Sequence, residues 1–311
     1  MRLIIGTRGS QLALAQAEMV RLQIAKLWPG GDALLEVVKT LGDHLGTQPL
    51  VQGVIEDSPQ GIFTRELDEA LLSGKIRAAI HSLKDVPTQL PAGIAYGAFL
   101  KREDPRDALI SKSGKPFIEL PAGSRIGTSS PRREAQIRAA RPDITVVPLR
   151  GNVDTRLRKL KEGEFDAIVL AAAGLKRLGR EKEATELLSP EVILPAPAQG
   201  VLCITILEKD GELRDILKPL DDAYTKVCAQ AERAFLKTLQ GGCRIPVGAL
   251  ARAEGETLFL SGVIANPNGE QVMRDSRKGS TLKPAELGDE LAKAFLKNGA
   301  QEILNGFGRT S

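Results

Sequence analysis

The chain is poor in the side chains that many chemistries require. Aromatic residues are 4% of its 311 positions, too few for a platform that stacks nucleobases. The two histidines, His44 and His81, lie far apart, and neither C-x-x-C nor H-E-x-x-H occurs, so the ligand spacing of a zinc site is missing. Cys203, Cys228 and Cys243 are an odd number without paired spacing, which argues against a disulfide framework. No apolar run reaches the length of a membrane span. The start, "MRLIIGTRGSQLALAQAEM", lacks the apolar core and small-residue cleavage site of a signal peptide. A Walker A loop, a G-x-G-x-x-G turn and a G-x-S-x-G elbow are also missing, which sets aside nucleoside triphosphates, dinucleotides and a serine hydrolase. The expectation is a cytoplasmic protein of a reducing compartment, with no metal, nucleic acid or membrane.

What is present is ordinary globular material, 42% hydrophobic and 26% charged, with a formal net charge of +4 whose distribution matters more than its sum. "RLIIGT" (2–7) precedes a helix from Ser10 to about Lys26. "ALLEVVKT" (33–40), the helix "TRELDEALLSG" (64–74) and the strand "IRAAIHS" (76–82) follow. "SRIGTSS" (124–130) leads into the helix "PRREAQIRAA" (131–140), then "ITVVPL", the helix "NVDTRLRKLKEG" and the strand "DAIVLAAA". This alternation predicts parallel sheets with crossover helices.

Ile5-Gly6-Thr7 before Arg8-Gly9-Ser10 is echoed by Ile126-Gly127-Thr128 before Ser129-Ser130-Pro131. Each is a strand, a Gly-Thr turn, a small polar cap and a helix, so two α/β lobes are expected to face each other across a cleft. After about residue 218 the pattern becomes a helix, three antiparallel strands and one final helix over 284–304, a small α+β domain. The predicted boundaries are 1–100 with 200–218, 101–199, and 219–311.

The strongest chemical signal is "GTSSPRREAQIR" (127–138). Ser130 suits an N-cap and Pro131 the first helical position. Free amides there favour an anion, yet Arg132 and Arg133 place cations in the same turn, against the helix dipole. An anionic ligand would relieve that conflict. Arg150 and Arg156 flank "GNVDT" at the next strand-to-helix turn, and Arg8 occupies the corresponding turn of the first lobe. Ligands of open α/β sheets bind at that edge, and guanidinium forks suit carboxylates or phosphates. Lys84 and Asp85 sit side by side in "HSLKDVPT" (81–88). A carboxylate there could stabilise developing positive charge or move a proton. Cys243, behind two glycines, could be a buried hydrophobe, a metal ligand, a nucleophile or an attachment point; Arg244 beside it lowers a thiol's pKa.

Six segments in order, "GTRGSQLALAQ", "HSLKDVPT", "GTSSPRREAQ", "RGNVDTRLRKL", "AAAGLKRLG" and "ERAFLKTLQGGCRIPVG", resemble the porphobilinogen deaminase (hydroxymethylbilane synthase) family. The resemblance runs from residue 2 to past 250. It implies two periplasmic-binding-protein-like lobes plus a third α+β domain, acting as a monomer. It implies a dipyrromethane cofactor held through a thioether to Cys243, onto which four porphobilinogen units are joined head to tail with loss of ammonia, giving linear hydroxymethylbilane. Asp85 matches the family's catalytic aspartate, which stabilises the cationic azafulvene and the pyrrole N–H groups. Arg8, Ser10, Ser82, Lys84, Thr128, Ser129, Ser130, Arg132, Arg133, Arg150, Arg156 and Arg177 match positions that hold carboxylates of cofactor or substrate. Phe63, Gln199 and Gly200 are candidate contacts.

The chain also departs from the family. Ala198 replaces a glycine in "PAPAQGV", a position where positive φ suits alanine poorly. The ending "CITILEKD" after it differs too, and Gln60 replaces a loop lysine in "SPQGIFTREL". The competing expectation is a two-lobed anion-binding protein that has lost the chemistry.

Overall fold

The computed structural model describes residues 2–28, 30–40, 64–239 and 246–305. The chain divides into two compact units, Met1–Glu103 with Val201–Lys226, and Asp104–Gly200 with Val227–Ser311.

The first unit is built on strands β1 (Arg2–Thr7), β2 (Asp32–Val37), β3 (Ala78–Ser82), β4 (Ile94–Phe99) and β10 (Leu202–Leu207), with helices α1 (Gln11–Leu27), α2 (Arg65–Leu72) and α6 (Gly211–Leu217). The strand order is β2-β1-β3-β10-β4. β1 is parallel to β2 and β3, whereas β10 is antiparallel to both β3 and β4. Leu3, Ile5, Val20, Ile24, Ile204 and Leu213 meet in the core between sheet and helices. α1 contributes Gln16, Ala17, Val20 and Ile24 to its buried stripe, three apolar residues and one amide.

The second unit repeats the plan. Strands β5 (Asp107–Ser111), β6 (Arg125–Gly127), β7 (Thr145–Val147), β8 (Ala167–Ala171) and β9 (Glu186–Leu187) lie in the order β7-β6-β8-β5-β9. Here β5 is the antiparallel strand, pairing with β8 and β9. Helices α3 (Pro131–Ala140), α4 (Val153–Lys161) and α5 (Ala172–Arg177) complete the α/β part. Both sheets are therefore mixed, where the alternating sequence pattern predicted parallel ones. The antiparallel strand arrives from outside the local β–α alternation in each case, from after the second sheet for β10 and from before β6 for β5.

The remainder of the second unit is α+β. α7 (Ala223–Thr238), which the division between units cuts after Lys226, packs with β11 (Val247–Glu254), β12 (Thr257–Ala265), β13 (Val272–Ser280), α8 (Pro284–Lys297) and α9 (Ala300–Asn305). Phe235 and Phe295 meet edge to face at 5.3 Å in its core. The predicted single last helix is two, because Gly299 at φ +93° interrupts it, a left-handed conformation suited to glycine at a helix end.

The β12–β13 turn seats on α3. A Cβ at Gly269 would lie 2.7 Å from the Ala135 carbonyl, so only glycine permits this approach. Arg274 Nη2 donates to Gln136 Oε1 at 2.8 Å, while Gln136 Nε2 donates to the Arg132 and Leu194 carbonyls. Nearby, Ala198 has φ +62°, alone among described non-glycine residues in being positive. Its N–H donates to the fully buried Glu232 at 2.6 Å, whose other oxygen accepts from Ala251 N at 2.7 Å.

Candidate functional site

In the first unit, β1 ends in buried Thr7, and Ser10 then caps α1, its hydroxyl accepting from Ala13 N at 3.3 Å. On the neighbouring strand, β3 ends at Ser82 and passes into a 3-10 turn, Leu83–Asp85, that leaves Asp85 half-buried. Arg8, Ser10, Ser82 and Asp85 thereby line one cavity of about 70 Å³, together with Gln16, Thr64 and His81. Lys84 shares the turn but lies outside that lining. A cation, hydroxyl groups and a carboxylate thus converge where β1 and β3 end. Such a set can bind one acid group and stabilise a positive charge beside it.

His81 is buried and its Nε2 lies 3.0 Å from Thr205 Oγ1. Burial, aided by the charge of Arg8, pushes its pKa down to about 4, so the imidazole is neutral at physiological pH. Gln16 was missed in the sequence as a site residue. Its signal was there: an amide on the stripe Gln16–Val20–Ile24, whose i, i+4 spacing faces the core.

In the second unit, Thr128, Ser129 and Ser130 form the turn after β6. Ser130 caps α3, accepting from Arg133 N, and its own N–H donates to Thr128 Oγ1 at 3.2 Å. Ser129 Oγ bridges the N–H and C=O of Leu149, both at 3.0 Å. Arg132 and Arg133 are buried. The sequence reading placed a bound anion beside them; the structure supplies one from the chain itself, Asp107. Arg132 Nη1 donates to Asp107 Oδ2 at 2.8 Å, and Arg133 Nη2 and Nε donate to Oδ1 at 2.7 and 3.0 Å. Gln199 Nε2 donates to the same Oδ1 at 2.9 Å. Burial alone would raise the Asp107 carboxyl, but the two guanidiniums outweigh it and hold the pKa well below the usual carboxylate range.

Arg177 Nη2 donates to the Gly200 carbonyl at 2.6 Å. Arg150 is exposed in the loop after β7. Arg156, on α4, donates from Nε to the Gly151 carbonyl at 2.7 Å. Burial, reinforced by the charge of Arg133, lowers its pKa to about 10. A desolvated cation repelled by its neighbour is stabilised by any anion that reaches it. Asp107 itself carried no local signal, since its partners lie 25 and 26 residues further on. Phe63, Gln60 and Cys243 lie outside the described residues. Cys203 and Cys228 are fully buried in β10 and α7. Among the described residues, no cluster of three or more His, Cys, Asp or Glu could hold a metal ion, and no helix is long and apolar enough to cross a membrane.

Two sheets of one plan, each with a capped helix at a strand end, and a separate α+β portion define the class: a two-lobed α/β protein with an appended third domain. A family model described as porphobilinogen deaminase, dipyromethane cofactor binding domain, matches residues 3–215, and the C-terminal domain of that family matches residues 226–297. The porphobilinogen deaminase of Roseiflexus castenholzii is 48% identical over 98% of this chain and 99% of its own. That of Syntrophobacter fumaroxidans is 47% identical over 96% of each. An amino-acid ABC transporter extracellular-binding protein of Bacillus subtilis aligns in structure at 9% identity, covering 71% of this chain and 90% of its own with a TM-score of 0.40. The chain belongs to the porphobilinogen deaminase family.

Proposed function

We propose that the chain joins four porphobilinogen molecules head to tail with release of ammonia, yielding hydroxymethylbilane, and that it works as a monomer in the cytoplasm. The observation that carries this reading is the convergence of Arg8, Ser10, Ser82 and Asp85 on one cavity. Every porphobilinogen carries two acid arms and one aminomethyl group, so a site for it needs cations for the arms and an anion for the reacting end.

The residues also suit a dipyrromethane. The buried Gln16 Nε2 has no acceptor among the described residues, and Arg156 is a desolvated cation; both call for carboxylate oxygens. Cys203 and Cys228 are core residues, and Cys243 matches the cysteine that carries the thioether in the family. When bound, the dipyrromethane supplies the pyrrole carbon to which the first unit is joined.

Arg8, Ser10, Ser82 and Lys84 hold acid arms on the first unit. Thr128, Ser129, Ser130, Arg132, Arg133, Arg150, Arg156 and Arg177 do so on the second, where Asp107 orients Arg132 and Arg133. Asp85 acts at the reacting end. The substrate's C–N bond breaks, its electron pair leaves with ammonia, and the pyrrole becomes cationic. The Asp85 carboxylate stabilises that charge and the pyrrole N–H, an interaction stronger in the transition state than in the bound substrate. A new C–C bond then forms and the attacked carbon loses its proton.

Intact mass and turnover test the reading together. The purified protein should exceed its sequence mass by one dipyrromethane unit, release ammonia from porphobilinogen, and lose both properties in Cys243→Ser. An unmodified wild-type chain with full activity excludes the thioether, and binding of porphobilinogen without ammonia release favours the anion-binding alternative.

A further inference from the structure

Arg132 is anchored to the chain through a single nitrogen. Nη1 donates to Asp107 Oδ2 and to the Leu194 carbonyl, both at 2.8 Å. Nε and Nη2 make no hydrogen bond among the described residues. They form the edge of the guanidinium that grips a carboxylate with two parallel bonds. The direction of that edge depends on where the two acceptors of Nη1 stand, and Asp107 is one of them.

The other acceptor, the Leu194 carbonyl, is held by Gln136, one turn further along α3 and 2% exposed. The amide pairs with Leu194 as a second backbone would. Leu194 N donates to Oε1 at 2.8 Å, while Nε2 donates to the Leu194 carbonyl at 3.1 Å and the Arg132 carbonyl at 3.2 Å. Arg274 Nη2, from β13, takes the remaining lone pair of Oε1 at 2.8 Å and also reaches the Val192 carbonyl at 2.9 Å. Two donors and two lone pairs are all that a primary amide has, so Gln136 is fully used and has one orientation. β11 closes on the same stretch. A Cβ at Gly248 would lie 2.7 Å from the Leu194 carbonyl oxygen, and Ala249 N donates to the Pro195 carbonyl at 3.0 Å. The carbonyl on which Arg132 leans is thus placed by α3 and by two strands of the α+β portion.

We propose that Gln136 and Arg274 are positioning residues for anion binding: they fix the Leu194 carbonyl, which with Asp107 aims the Nε–Nη2 edge of Arg132 at a carboxylate. Neither side chain touches the ligand. The α+β portion thereby takes part in holding an acid arm from β13, a role separate from that of its cysteine. The inference rests on the porphobilinogen reading for the identity of the acid. With the Leu194 carbonyl displaced, Nη1 keeps Asp107 alone and the guanidinium can swing about that one contact. Binding then weakens, while the bond-breaking step at Asp85 is untouched.

The test uses the holoenzyme of the wild type, Gln136→Met, Arg274→Met and Arg274→Lys. One readout is the dissociation constant of non-reacting pyrroles that carry both acid arms and lack the aminomethyl group. The other is single-turnover release of ammonia from saturating porphobilinogen. Gln136→Met should bind the pyrroles about tenfold more weakly and Arg274→Met about threefold, within the range of one hydrogen bond to a charged group. Ammonia release at saturation should stay within about twofold of wild type, the mark of lost binding shared by ground and transition states. Arg274→Lys, which keeps a cationic donor, should recover most of the loss. In an Arg132→Leu background, Gln136→Met and Arg274→Met should weaken binding no further, because the path runs through Arg132. Arg274 is exposed, so its variants supply the measurement if Gln136→Met does not fold. Reduced stability with unaltered pyrrole binding, or an undiminished effect in the Arg132→Leu background, overturns the proposal. Should the wild type release no ammonia, the porphobilinogen reading fails, whereas the proposal fails only on the dissociation constants.

Discussion

The turn after β1 and the turn after β6 are built alike and charged differently. Both carry a buried threonine at the end of an interior strand or just past it, Thr7 or Thr128, and both start a helix at a serine cap, Ser10 or Ser130. In the first unit the cation, Arg8, precedes the cap and faces a cavity with an unmet amide donor. In the second unit two cations follow the cap, and the chain answers them with its own buried Asp107. The same backbone device therefore stands once beside a cavity lined by a cation and once beside an ionic cluster closed by Asp107. The difference teaches that cations in the first turn of a helix can be balanced from within the fold, as Asp107 balances Arg132 and Arg133.

The largest expected effect comes from breaking the closed cluster. Asp107→Asn leaves two buried guanidiniums around a neutral amide, and removing one partner of a buried ion pair costs about 3–5 kcal/mol. Urea unfolding of the holoenzyme should show the loss, with the first transition assigned to the second unit by amide exchange in β6 and β8. Arg8→Leu should leave those exchange rates unchanged and instead weaken pyrrole binding by about tenfold, the effect of one charge-assisted hydrogen bond. If Arg8→Leu destabilised the fold as much as Asp107→Asn, the contrast between the two turns would be gone.

Acid sharpens the comparison. His81 is buried with its pKa pushed down to about 4, so between pH 6.5 and 4 the unfolded chain holds a proton that the folded chain refuses. Its stabilisation is complete above pH 6.5 and is lost as pH falls through 4. Asp68, on α2 of the same unit, runs the other way. Burial raises its carboxyl to about 6, so its contribution is present below its unfolded value and lost as pH rises through 6. The two slopes oppose each other in the first unit. In Asp68→Asn the histidine slope is no longer opposed by Asp68, and stability should fall by about 3 kcal/mol between pH 6.5 and 4. Amide exchange in β1 and β3 across that range reads it, and a flat profile would mean that His81 is not refusing the proton. The lowered carboxyl of Asp107 contributes stability above its unfolded pKa near 4 and loses it only as pH falls further, so the second unit should hold to lower pH.

Asp85→Asn keeps the size of the side chain but removes its charge. Turnover should drop at least about a hundredfold, roughly 2.7 kcal/mol, while binding of the non-reacting pyrroles changes far less. Single-turnover release of ammonia, set beside those binding constants, measures both. Wild-type turnover in Asp85→Asn would remove the electrostatic role from Asp85.

The parts legible in the sequence were those whose physics is local. Caps, Gly-Thr turns and proline at a helix start act over a few residues, so Ser10, Ser130 and Pro131 were read from their neighbours. The pairing of β10 between β3 and β4 was not legible, because strand register over such separations is settled by tertiary packing. Asp107 was invisible for the same reason: a carboxylate announces its partners only once the chain has folded. Gln16 lay between the two cases, an amide on an apolar stripe that composition rules alone treat as noise. The end of α8 was written plainly in Asn298-Gly299, yet the apolar pattern continuing beyond it outweighed that signal.

The placement of β10 also bears on how the protein is made. The second α/β sheet is complete within residues 107–187, but the first cannot close until residues 202–207 have left the ribosome. At about 5–20 residues per second, β3 and β4 await their shared neighbour for roughly 5–20 s, during which the second sheet is synthesised in full. Throughout that interval the nascent chain carries an unpaired edge at β3, the kind of edge that invites wrong partners. The lobe that begins at the amino terminus is therefore the later of the two α/β lobes to finish, and the nascent chain is most exposed to misassembly between the emergence of Phe99 and that of Leu207.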